Sequence, residues 1–188
     1  MYGKLEVITG AMFSNKSGEL IRRLMIANDY EKKRVVAFSP KKDTRTECIT
    51  SRNKSTFNTI HVDDYVSIDV IEQILTLTKG FDVVGFDETQ FFKGMILYLI
   101  RTLVMSDKRV IVSGLNMNHL GLPFGKMGDI MAIADEIDIL YPVCLHCRED
   151  KAIYSHRLDK NNDSEILVGS DEYIPVCRKC YKELNGIK

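Results

Sequence analysis

Up to about residue 140 the apolar residues of this chain alternate between two rhythms. Nearly continuous apolar runs occur at Arg34-Val35-Val36-Ala37-Phe38-Ser39-Pro40, Asp82-Val83-Val84-Gly85-Phe86-Asp87 and Arg109-Val110-Ile111-Val112-Ser113-Gly114, and Lys4-Leu5-Glu6-Val7-Ile8-Thr9 alternates as a strand does. Runs this short and apolar suit buried strands. Between them the spacing changes to three and four. Leu20, Ile21, Leu24 and Met25 predict one helix. Ile68, Ile71, Ile74 and Leu75 predict a second, stopping near Gly80, and Ile96, Leu99, Ile100, Leu103 and Val104 a third. Strands alternating with helices imply an α/β fold, a parallel sheet covered by helices on both faces. Ligands then bind at the carboxyl ends of the strands. Residues 41–58 are polar and are expected to form a mobile loop.

After about residue 140 the helical rhythm stops. Short β-like segments follow around 152–158 and 166–168, and four cysteines appear. A boundary near Pro142 is expected to divide the chain into an α/β unit, 1–142, and a small unit, 143–188. A length of 188 residues suits one domain with an appendage and buries a real core. Net charge is zero, so no basic surface advertises a nucleic-acid partner. The N-terminal segment reads as a charged strand rather than a signal peptide, and no apolar run spans a bilayer. A soluble, cytoplasmic protein is the expectation.

The candidate chemistry begins where the first strand ends. Gly10-Ala11-Met12-Phe13-Ser14-Asn15-Lys16-Ser17 follows the pattern Gly-x4-Gly-Lys-Ser/Thr except that Asn15 replaces the second glycine. In such a loop, backbone N–H groups and the following helix N-terminus cradle phosphates. Lys16 would reach the outer phosphates and the Ser17 hydroxyl would ligate Mg²⁺. An ordinary strand–helix turn carrying a lysine is the alternative. Asparagine tolerates the left-handed backbone that glycine adopts freely. Its side chain can still crowd the phosphates, so weakened triphosphate binding is expected.

Asp87 ends an apolar strand, the usual place for a carboxylate that holds the magnesium of a bound nucleotide. Adjacent Glu88 is the candidate general base for a hydroxyl acceptor. Two acidic residues capping a strand would look the same. Cys144-Leu145-His146-Cys147 and Cys177-Arg178-Lys179-Cys180 form two Cys-x2-Cys knuckles. Four thiolates in that pattern suit a structural, tetrahedral Zn²⁺, with a pair of disulfides as the alternative. His146 reads as a bystander and Cys48 as an unremarkable odd thiol. The enclosed loop, 148–176, is polar enough to need its zinc anchor and can fold over a substrate.

Taken in order, these motifs resemble the zinc-containing type II thymidine kinases. The resemblance covers nearly the whole chain. It rests on the Gly10–Ser17 loop, Glu19-Leu20-Ile21-Arg22-Arg23, Asp43-Thr44-Arg45, Phe86-Asp87-Glu88-Thr89-Gln90-Phe91-Phe92, Gly114-Leu115, Pro123-Phe124-Gly125, both knuckles, and Val168-Gly169 with Tyr173. It implies a P-loop sheet with a small C-terminal zinc-binding lasso. It implies transfer of the γ-phosphoryl group of ATP to the 5′-hydroxyl of thymidine or deoxyuridine, with Glu88 as base. The nucleotide site would comprise Gly10, Ala11, Met12, Phe13, Ser14, Asn15, Lys16, Ser17, Asp87, Glu88, Thr89 and Gln90. The nucleoside site would comprise Met12, Arg45, Phe91, Phe124, Val168, Gly169 and Tyr173. Ser17 and Asp87 would hold magnesium, and Cys144, Cys147, Cys177 and Cys180 zinc. The resemblance also implies a homotetramer inhibited by thymidine triphosphate. The chain departs from the family at Ala11, Asn15, Asn116, His119 and Leu120, so a low-activity or regulatory homologue is a second expectation. A zinc-ribbon ATPase on nucleic acid is a third, disfavoured by the neutral charge.

Overall fold

A computed structural model describes residues 2–41, 48–51, 54–159 and 172–187. In chain order its regular elements are β1 (Lys4–Gly10), α1 (Lys16–Met25), β2 (Val35–Pro40), β3 (Cys48–Thr50), β4 (Thr56–Asn58), β5 (Ile60–Val62), β6 (Tyr65–Val66) and α2 (Ile68–Leu77). There follow β7 (Val83–Phe86), β8 (Lys93–Gly94), α3 (Ile96–Met105), β9 (Arg109–Gly114), α4 (Met127–Ala132), β10 (Glu136–Leu140), β11 (Tyr154–Arg157), β12 (Tyr173–Val176) and α5 (Arg178–Asn185). The main sheet runs β10-β1-β9-β7-β2-β5, with every neighbouring pair parallel.

Alternate residues of the central strands supply opposite faces, which is why those strands read as unbroken apolar runs. Val7, Val110 and Val112 face one cluster with Ile71 and Ile74 of α2 and Ile96, Leu99, Ile100 and Leu103 of α3. Ile8 and Ile111 face the other, where Leu20, Ile21 and Leu24 of α1 cover the sheet. Ion pairs then fix α1 against the sheet. Arg23 donates to Glu6 (2.9 Å), Glu19 (2.9 Å) and Asp138 (2.5 Å), while Arg109 donates to Glu6 at 2.7 Å. Burial alone would raise the Glu6 pKa, but hydrogen bonds from Arg109 and Arg23 outweigh it and hold it below its usual value. Removing one partner of such a buried set typically costs about 3–5 kcal/mol.

Three expectations need correction. Residues 41–58 are not simply a loop: β3 and β4 pair antiparallel, Ile49 opposite Phe57, and Ile49 is buried. Helical structure does not stop near residue 140, because α5 buries Cys180 and Tyr181 behind the second knuckle. The apolar runs also understate the sheet, since β5 and β10 join its two edges.

Candidate active site

β1, β9 and β7 are neighbours, so their carboxyl ends bring Gly10, Ser113 and Asp87 to one rim of the sheet. Gly10 has φ +137°, and a Cβ there would lie 2.1 Å from the Leu140 carbonyl oxygen, so only glycine lets the chain turn off β1 here. The loop then enters α1 through Asn15, which adopts the left-handed conformation at φ 63°, ψ 34°. This is the geometry expected of the missing glycine. The Asn15 side chain folds back along the first turn of α1. A Cβ built on Gly18 would meet its Oδ1 at 2.3 Å and its Nδ2 at 2.6 Å. Gly18 is therefore the shelf on which the amide rests. Lys16 arches over the loop, donating to Ala11 O (2.9 Å) and Ser14 Oγ (3.4 Å), and Phe13 is also left-handed at φ 69°.

The Ser17 hydroxyl donates to Asp87 Oδ1 at 3.3 Å. Burial pushes the Asp87 carboxyl up to about 7, with the neighbouring Glu88 carboxylate acting in the same direction and the Ser113 and Ser17 hydroxyls opposing both. A buried carboxylate beside a hydroxyl offers the hard oxygen donors that Mg²⁺ prefers. Their position above the phosphate loop fits a metal–triphosphate. Glu88 takes the left-handed conformation at φ 47°, unusual for a residue with a side chain, and that turn throws its carboxylate off the strand line. Gln90 fixes it there. Its Oε1 accepts from Leu115 N (2.9 Å), which leaves Nε2 to donate to Glu88 Oε2 at 2.5 Å. Thr89 is fully buried and its hydroxyl is turned inward to Phe86 O.

Phe91 and Phe124 meet edge to face with ring centroids 5.7 Å apart, forming an aromatic corner next to this turn. Met12, the third residue of the phosphate loop, is tied to the C-terminal unit: its N–H donates to Ser155 Oγ at 3.0 Å. Tyr173 is buried on β12 opposite Arg157. Arg45, Val168 and Gly169 lie outside the described residues. The segment around His119 packs against the same unit, where the Tyr181 hydroxyl donates to His119 O at 2.8 Å.

No disulfide joins any of the five cysteines, and the Sγ atoms of Cys144, Cys147, Cys177 and Cys180 all lie within 4.8 Å of one another. This cluster can hold a metal ion, and four sulfurs at that spacing suit tetrahedral zinc. Burial opposes ionisation of Cys144, but the backbone N–H groups of Cys147, Cys177 and His146 overcome it and draw its thiol down to about 6. Cys180 is shifted upward by burial and by the neighbouring thiols. Behind the sulfurs, Tyr154 and Tyr181 stack at 4.2 Å, and Ala152 and Val176 complete a small core.

Sequence reasoning overlooked Gly18, Ser155 and the orienting role of Gln90. Gly18 carried the one available signal, a glycine inside an otherwise good helix. Ser155 carried none, because its partner is 143 residues away.

The chain is similar to proteins of known identity along almost its whole length. It is 40% identical over 186 residues to a thymidine kinase of Bacteroides thetaiotaomicron, covering 98% of this chain and 89% of that one. It is 41% identical over 190 residues to a thymidine kinase of Coprothermobacter proteolyticus, covering 98% and 92%. Among solved structures, domain III of the Thermotoga maritima replication initiation protein DnaA aligns with 74% of this chain and 55% of that chain at 12% identity, with a TM-score of only 0.44. The family model described as thymidine kinase matches residues 3–181, and the chain belongs to the thymidine kinase family.

Proposed function

We propose that this protein transfers the γ-phosphoryl group of ATP to the 5′-hydroxyl of thymidine or deoxyuridine, as in pyrimidine salvage. The observation that carries this reading is the meeting of the Gly10–Ser17 loop, Asp87 and the oriented Glu88 at one rim of the sheet. Lys16 and the loop N–H groups bind the triphosphate. Ser17 and Asp87 would hold magnesium, which would screen phosphate charge. Glu88 accepts the proton of the 5′-hydroxyl as its oxygen bonds to the γ-phosphorus, and the bond to the departing ADP oxygen breaks. Gln90 keeps the Glu88 carboxylate aimed while this happens. Phe91, Phe124 and Met12 wall the base, with Arg45, Val168, Gly169 and Tyr173 completing the nucleoside site. Zinc on the four cysteines anchors the segment 148–176 as a lid, and 1–142 and 143–188 act as its two units.

The finer readings extend from these. Five cysteines without a disulfide suit a reducing cytoplasm. The outer strand β10 leaves Ile137 and Ile139 exposed, which supports self-association toward a homotetramer. The aromatic corner of Phe91 and Phe124 next to the Glu88 turn supports inhibition by thymidine triphosphate.

The test is a radiolabelled transfer assay from ATP to thymidine, deoxyuridine and deoxycytidine, run beside Glu88→Gln. Turnover on thymidine should fall about 10²–10⁴-fold in the variant, as for loss of a general base. Equal turnover in both proteins would remove Glu88 from that role, and no transfer by the wild type would refute the reading itself.

A further inference from the structure

Ser113 is the penultimate residue of β9 and pairs with Ile8 of β1. On its other side the register runs Phe86 opposite Val112, so the next step along the two chains sets Ser113 beside Asp87. Both side chains project from the α1 face, because Ile111, two residues before Ser113, packs with α1 and Gly85, two before Asp87, abuts Leu24 of α1. Ser113 is only 1% exposed, and among the described residues its Oγ has no hydrogen-bond partner. A buried hydroxyl left unpaired is costly, and alanine would fill the same space without that cost. The position thus retains a donor whose use lies outside the ligand-free state. Ser17 already approaches Asp87 from α1. Ser113 faces the same carboxylate from the sheet.

We propose that Ser113 is a positioning residue for the metal–triphosphate, clamping the Asp87 carboxylate from β9 while Ser17 holds it from α1, so that the oxygen presented to the cation is fixed. The inference rests on the phosphate-transfer reading, since it needs a nucleotide-bound cation at Asp87. Its effect runs through Asp87, which separates it from a role in base recognition.

The experiment follows binding of a fluorescent ATP analogue as Mg²⁺ is titrated, without thymidine. Ser113→Ala should raise the half-saturating Mg²⁺ about 10-fold, the lower end for groups that orient a metal ligand. Its metal-free thermal midpoint should be no lower than that of the wild type, because no hydrogen bond is lost. In an Asp87→Asn background, Ser113→Ala should change analogue binding no further. An unchanged Mg²⁺ requirement, or an equal loss in both backgrounds, would overturn the assignment while leaving phosphate transfer standing. Wild-type protein that shows no metal-dependent analogue binding would bring down both together.

Discussion

Asp87 and Cys144 are both buried and both candidate metal ligands, yet their surroundings treat charge in opposite ways. Asp87 lies at the rim of a six-stranded sheet, and burial pushes its carboxyl up to about 7. Cys144 lies in a small knuckle whose backbone N–H groups overcome burial and draw its thiol down to about 6. At the first site the fold is supported by two large apolar clusters and imposes the position of a group it does not stabilise as an anion. At the second the apolar cluster is small, and the chain is wound to welcome the anion. The strand rim therefore keeps its shape without a cation and stores the cost of ionisation for the cation to relieve. The knuckles have only a small apolar cluster to hold them together without one.

The largest effect should come from breaking the second site. Structural zinc contributes on the order of 10–16 kcal/mol in small zinc-folded peptides. Cys177→Ser should therefore abolish zinc retention, expose residues 143–187 to limited proteolysis and remove phosphate transfer, with the sheet still melting cooperatively. Metal analysis and proteolytic mapping check this. If the variant keeps protected knuckles without metal, the contrast between the two sites fails.

A smaller effect should sharpen the first site. Asp87 has a folded pKa raised from 3.8 to about 7, so its contribution runs opposite to that of a salt-bridged aspartate. Below its unfolded pKa the group is neutral in both states and costs nothing. As pH rises through the window from 3.8 to 7 the penalty grows, and above it the penalty is full. In metal-free protein Asp87→Asn should raise the melting temperature at pH 8, and the gain should vanish by about pH 4. Each kcal/mol relieved corresponds to roughly 2–4 °C for a chain of this size. The same variant should need more magnesium to reach half-saturation with nucleotide. A stabilisation that does not vary with pH would show that burial of this charge is not its source.

The smallest effect concerns how the phosphate loop tolerates Asn15. Gly18→Ala displaces the asparagine amide from its shelf and should weaken binding of the ATP analogue about 3- to 10-fold, a coupling typical of touching residues. In an Asn15→Gly background the same change should be neutral. Equal effects in both backgrounds would mean that Gly18 matters for the helix alone.

The sequence made the buried centre of this molecule legible and its margins much less so. β2, β7 and β9 announced themselves because both faces are covered, which makes most of their positions apolar. β10 did not, because one side of Glu136–Leu140 is an open edge where Ile137 and Ile139 remain exposed among acidic residues. α5 was hidden by its polarity: it buries a cysteine and a tyrosine rather than an aliphatic stripe. In the site, the motifs carried by consecutive residues could be read directly, down to the left-handed asparagine at position 15. Ser113, Ser155 and the orienting role of Gln90 could not, because each matters for what the fold sets beside it. A serine inside an apolar strand gives no hint that the neighbouring strand ends in Asp87.

The hydrogen bond from Met12 N–H to Ser155 Oγ is a physical link between two candidate binding sites. It joins the loop that grips phosphates to the strand that leads out of the cysteine knuckles. Any bias that occupancy at one end exerts on the other must, by thermodynamic reciprocity, be returned with equal free energy. A nucleotide that tightens the protein's hold on zinc is a nucleotide whose own affinity falls by the same factor when zinc is withdrawn.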